Sequence, residues 1–106
     1  MARKTLPGQK RSSKGRPAKA SQNFKISNEL GLHARAAALF VKIASRFKSD
    51  ILVSKGPNEV NGKSIMGVLM LAAPRGSEIC VTARGDDAPR ALKELGRLID
   101  GKFGEP

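Results

Sequence analysis

Apolar and polar residues alternate along Asn23-Phe24-Lys25-Ile26-Ser27-Asn28, the period of two that predicts a half-buried strand. A short loop through Gly31 leads to His33, and the period then changes. From Ala34 to Phe47 apolar residues fall at 36, 37, 40, 41, 43, 44 and 47, which is helical spacing with a broad buried face. Asp50 to Lys55 reads as a second strand with Ile51 and Val53 on one side, and Gly56-Pro57-Asn58 as a turn. Glu59 and Val60 begin a short third strand, out of which Asn61-Gly62 can turn. Ser64 then opens a short apolar helix, Ile65 to Leu71. After the turn Pro74-Arg75-Gly76, residues Glu78 to Ala83 form a fourth strand with Ile79 and Val81 facing one way. Asp86 or Asp87 caps a last helix with Pro89 in its first turn, Leu92, Leu95, Leu98 and Ile99 as its apolar stripe, and Gly101 at its end. The order βαββαβα, joined by short connections, predicts an α+β fold. Its form is a two-layer open-faced sandwich, a four-stranded antiparallel sheet with three helices on one face.

Residues 1–21 break from this pattern, with Leu6 the only large aliphatic residue after Met1. Such a segment buries too little surface to offset its ordering entropy, so a disordered tail over 1–21 and a folded domain over 22–106 are expected. Charge follows the same division. The formal net charge is +11, and residues 1–20 hold seven basic side chains and no acid, so the remainder is only mildly basic. Lys14-Gly15-Arg16-Pro17 resembles the centre of a minor-groove DNA-binding hook. A single degenerate copy reads better as solvated chain than as a nucleic-acid contact, and a misassigned start is a further alternative. Cys80 is the one cysteine, which rules out an internal disulfide, and it reads as a small buried hydrophobe. No metal site and no cofactor is expected. No apolar run is long enough to cross a membrane, and no apolar segment follows the basic start as a secretory signal requires. A cytoplasmic protein without membrane insertion is the expectation.

The one histidine, His33, lies in Gly31-Leu32-His33-Ala34-Arg35-Ala36-Ala37, where the long helix begins. A helix start presents unpaired N–H groups and the positive end of the macrodipole, which suits a side chain that carries or meets an anion such as phosphate. Arg35 adds a permanently charged fork matched to phosphate geometry. The alternative is a surface histidine that only caps the helix.

Three segments then carry a family likeness in order: Gly31-Leu32-His33-Ala34-Arg35, Asn61-Gly62-Lys63-Ser64-Ile65-Met66-Gly67, and Leu69-Met70-Leu71-Ala72-Ala73 followed by Gly76. With them, residues 22–106 resemble the histidine-containing phosphocarrier family HPr of the bacterial phosphotransferase system. The resemblance implies that His33 accepts a phosphoryl group on Nδ1 from enzyme I and passes it to a downstream acceptor domain, so the chain is a carrier and not an enzyme. The amides of Ala34 and Arg35 would receive the phosphoryl oxygens, with the Arg35 side chain neutralising their charge. The family often has proline where this chain has Ala36, which points to a looser first helical turn and a changed transfer rate.

Ser64 reads first as an N-cap. The resemblance adds phosphorylation there by a serine kinase/phosphorylase, which would place about two negative charges at a helix start beside the docking surface. Ile65, Met66 and Leu69 match the family's partner-docking patch, while Val68 and Leu71 read as core. Similar carriers serve sugar uptake and regulation, and a monomer is expected. A second reading keeps the fold as a regulatory docking module whose basic tail binds DNA or another polyanion.

Overall fold

The computed structural model describes residues 19–105. Four strands, β1 (Lys19–Lys25), β2 (Asp50–Lys55), β3 (Asn58–Asn61) and β4 (Glu78–Arg84), form one sheet in the order β1-β4-β2-β3, every neighbouring pair antiparallel. The helices are α1 (Ala34–Ala44), α2 (Ile65–Met70) and α3 (Ala88–Asp100), followed by a 3-10 turn at Lys102–Gly104. Alternation along the strands sorts the sheet's two faces. Phe24, Ile51, Val53, Ile79, Val81 and Ala83 are buried under the helices, whereas Leu52, Ser54, Cys80 and Thr82 lie half-buried on the open side. The helices contribute Ala36, Ala37, Phe40 and Ala44 from α1, Val68 from α2, and Ala91, Leu92, Leu95 and Ile99 from α3 to the same core. The two-layer α+β architecture read from the sequence is the one observed.

Its edges differ from the reading. The first strand is Lys19–Lys25, not Asn23–Asn28, because β4 is seven residues long and its far end offers backbone partners earlier in the chain. Lys19, Ala20 and Ser21 pair with Arg84, Ala83 and Thr82, so the folded domain takes in the last residues assigned to the tail. The expected disorder of residues 1–18 and the Lys14–Pro17 motif lie outside the described residues. Ile26 leaves the strand yet is fully buried, its amide donating to Ser77 O and its carbonyl accepting from Gly76. The first helix ends at Ala44, while Phe47 remains buried in the turn beyond it with the Arg90 guanidinium over its ring. Cys80 faces the open side of the sheet, not the core, since it alternates with the buried Ile79 and Val81.

The connections explain why the three motif segments have the residues they do. Gly31 has φ +68°, and a Cβ there would stand 2.5 Å from Ala73 O, so the backbone of the histidine loop lies directly on the segment after α2. The Leu32 amide donates to that same Ala73 carbonyl at 2.9 Å. In the second segment, Asn61 Oδ1 accepts from the Lys63 amide, and the Gly62 amide donates to Ile51 O. Lys63 Nζ reaches Phe47 O at 2.7 Å, tying this turn to the end of α1.

Asp87 sits at the start of α3 but makes no cap hydrogen bond there. Its carboxylate instead accepts from the Lys48 amide at 2.9 Å, the Ser49 amide at 3.0 Å and the Ser49 hydroxyl, which joins the loop after α1 to α3. Ser49 foremost, with the Lys48 amide next, holds the Asp87 carboxyl at about 2 against an ordinary 3.8. A depressed carboxylate stabilises the fold above its unfolded value, and that contribution is lost as pH falls through the folded one. Denaturant midpoints of Asp87→Asn should therefore lie below wild type at pH 7, and the gap should close as pH falls from 3.8 toward 2.

Candidate functional site

His33 is the residue before α1, in extended conformation with φ −82° and ψ −179°. Its two ring nitrogens face different partners. Nδ1 lies 3.3 Å from the Arg35 amide, which donates to it, so the lone pair of Nδ1 points into the first turn of the helix. On the other side Nε2 is 2.9 Å from Glu105 Oε2. An ionised carboxylate only accepts, which places the ring proton on Nε2 and leaves Nδ1 unprotonated. The imidazole is partly open to solvent (28% exposed) while the Glu105 side chain is largely covered (14%).

Glu105 arrives from the far end of the domain. Beyond Gly101 the backbone turns through three successive left-handed residues, Lys102, Phe103 and Gly104, with φ of 58°, 55° and 77°. Two of these are not glycine, a conformation that costs of order 1 kcal/mol or more each. Burial of the Phe103 ring in the core holds the turn. Asn28, fully buried at the start of the histidine loop, fastens the other side: Nδ2 donates to Gly31 O at 2.8 Å and to Glu105 Oε2 at 2.7 Å. Asn28 Oδ1 has no hydrogen-bond partner among the described residues. The Asn28 amide is the largest cause of a Glu105 carboxyl held below its ordinary value; partial burial opposes it, and hydrogen bonds from His33 and the Leu30 amide add to it. These contacts favour the ionised form of Glu105.

The remaining sequence-assigned residues divide. Ala34 and Arg35 open α1 with exposed side chains, and their amides belong to the first turn, which lacks intrahelical acceptors. The Arg35 guanidinium makes no ion pair or hydrogen bond among the described residues, and the residue is exposed. Ala36 is buried and, unlike proline, retains an amide proton in that first turn. Ser64 caps α2, its Oγ accepting from the Gly67 amide at 3.0 Å. Ile65 and Met66 are exposed, the latter at 69%. Leu69 is half-buried and packs on the core, because it follows the buried Val68 on the side of α2 that faces inward; Met70, at 77%, and Leu30, at 67%, take its place among the exposed apolar residues.

Sequence reasoning missed Asn28 as a polar clamp, having placed it at a strand end, and missed Glu105 altogether. Glu105 is 72 residues from His33. The one local signal was Phe103, an aromatic residue two positions beyond the helix-ending Gly101, which marks a return to the core.

A family model described as the PTS HPr component phosphorylation site matches residues 20–100. A phosphocarrier protein HPr of Neisseria meningitidis is 50% identical over 84 residues, covering 79% of this chain and 94% of that protein. The crystal structure of an HPr from Thermoanaerobacter tengcongensis superposes with a TM-score of 0.80 at 47% identity, covering 82% of this chain and 98% of that one. A second structure from the same organism, described as an HPr dimer, matches with a TM-score of 0.67 at 50% identity, over 77% of this chain and 94% of that one. No described helix is long and apolar enough to cross a membrane.

Removing the Ser64 cap tests the local geometry of α2. Ser64→Ala should lower stability by about 1 kcal/mol in chemical denaturation, the usual cost of an N-cap oxygen. Ser64→Asn, which still presents a cap acceptor, should recover most of it.

Proposed function

The chain belongs to the HPr family of phosphocarrier proteins, and on that premise we infer that His33 Nδ1 is the atom that takes up and gives up its phosphoryl group. The observation that carries this reading is the division of labour on the ring: Nε2 is occupied by Glu105, and Nδ1 keeps its lone pair at the start of α1. The donor is enzyme I, charged from phosphoenolpyruvate. The Nδ1 lone pair attacks phosphorus while the bond to the donor's leaving atom breaks with its electron pair. The product is a phosphoimidazolium that still carries its proton on Nε2. Onward transfer breaks the Nδ1–P bond, returns the pair to Nδ1 and restores the neutral ring, so no proton has to move in either direction.

Charge on the transferring oxygens is met by the amides of Ala34 and Arg35 and by the Arg35 guanidinium, which is held by no other group among the described residues. Ala36 supplies one further amide where proline would supply none. Exposed donors of this kind bind the phosphoryl group moderately, as a carrier that must also release it requires. Partners dock on the apolar residues of α2, Ile65, Met66 and Met70, with Leu69 beneath them. The Leu32–Ala73 hydrogen bond keeps the chain that follows this helix beside the histidine loop. Methionine side chains adapt to more than one partner surface, which suits a protein that must meet a donor and an acceptor in turn.

Ser64 is the regulatory position in this reading. Its cap hydrogen bond leaves the hydroxyl proton uncommitted, and a phosphate there would sit at a helix start next to Ile65 and Met66. The fold would tolerate the added charge while docking of enzyme I would not.

Incubation with phosphoenolpyruvate, magnesium and enzyme I should incorporate one acid-labile phosphate per chain, and His33→Ala should incorporate none. Retained incorporation in His33→Ala would overturn the assignment. Ser64→Asp should be phosphorylated at His33 more slowly than wild type under the same conditions, and equal rates would remove the regulatory role.

A further inference from the structure

We propose that Asn28 and Glu105 form a positioning clamp that keeps the His33 ring proton on Nε2 and so leaves Nδ1 as the ring's only nucleophilic nitrogen. The inference rests on the carrier reading for its purpose, but the clamp itself is a property of the unphosphorylated protein.

Geometry carries it. Glu105 Oε2 accepts from two donors at once, Asn28 Nδ2 at 2.7 Å and His33 Nε2 at 2.9 Å, so the carboxylate oxygen is fixed in front of the ring by a buried amide. Asn28 in turn cannot rotate freely. Its second Nδ2 proton is spent on Gly31 O at 2.8 Å, inside the loop that delivers the histidine. Exchanging its amide oxygen and nitrogen would set an oxygen against both the Gly31 carbonyl and the carboxylate, two repulsive contacts. The orientation is therefore determined even though Oδ1 has no partner among the described residues. The acidic side of the clamp is anchored independently, by the buried Phe103 ring and the left-handed turn around it. Neither residue touches the transferring group, which lies on the opposite edge of the ring. Their effect is to decide which nitrogen is available, as a carboxylate or carbonyl does for a metal-ligating histidine.

Nitrogen-15 NMR of the ring, at a pH where the imidazole is neutral, reads the proton's position directly in the full chain. Wild type should be the Nε2–H tautomer. Glu105→Ala should shift the tautomer ratio about tenfold toward Nδ1–H, the change expected on loss of one charge-assisted hydrogen bond. Glu105→Gln, whose carbonyl still accepts, should restore most of the wild-type ratio. Asn28→Ala should fall between them, with the fold checked by the amide spectrum. A ring unchanged in Glu105→Ala overturns the clamp, as does a wild type already mixed. Reaction with the small-molecule donor phosphoramidate gives a second readout. Wild type should form the Nδ1 phosphohistidine, and Glu105→Ala should add the Nε2 isomer, whereas the same isomer in both would count against the proposal. A tautomer shift in a chain that enzyme I does not phosphorylate would support the clamp and remove the carrier reading, so the two can fail separately.

Discussion

The site depends first on a backbone contact: the left-handed Gly31 lying against Ala73, with the Leu32 amide donating to the Ala73 carbonyl. This contact brings together segments some forty residues apart in the chain. It sets the direction in which the loop enters α1, and hence the position of His33 at the helix start. It also ties the end of α2, with its exposed methionines, beside the same loop. A side chain at position 31 would have no room, and a loop displaced by even a methyl group would carry the imidazole with it. His33 and the exposed apolar face of α2 are thus held together by one hydrogen bond and one missing Cβ.

Around that contact the chemistry is divided between the two edges of one ring. On the Nδ1 edge stands the first turn of α1, whose Arg35 amide donates to Nδ1 and whose free amides can meet negative charge. On the Nε2 edge stands a carboxylate, held below its ordinary pKa chiefly by Asn28. In the proposed function the arrangement would place positive potential where a phosphoryl group arrives and negative potential where the ring becomes cationic. Both are fixed before reaction, so little has to reorganise during it.

Much of this was legible in the sequence. Strand and helix periods foreshadowed the layer architecture, and Gly31-Leu32-His33-Ala34-Arg35 located the histidine at a helix start. Boundaries were less legible where backbone pairing, and not side-chain pattern, decides them. Lys19–Ser21 look like tail and become strand only because β4 has free partners at Thr82–Arg84. The cap role of Asp87 was misread for a related reason, since its carboxylate serves a loop 38 or 39 residues earlier and not its own helix. Glu105 was invisible because nothing near it in the chain hints at a histidine 72 residues away. Residues that set a site through tertiary contact leave little local signature, and on α2 the division between Leu69 and Met70 likewise depended on which side the helix turned to the sheet.

The most direct test is a proton–phosphorus correlation spectrum of the protein after phosphorylation by enzyme I. The account predicts phosphorus coupled to the ring protons of His33 in the pattern of an Nδ1 adduct, with the Nε2 proton still present and protected by Glu105. A phosphoryl group found on Nε2, or on any residue other than His33, would contradict it.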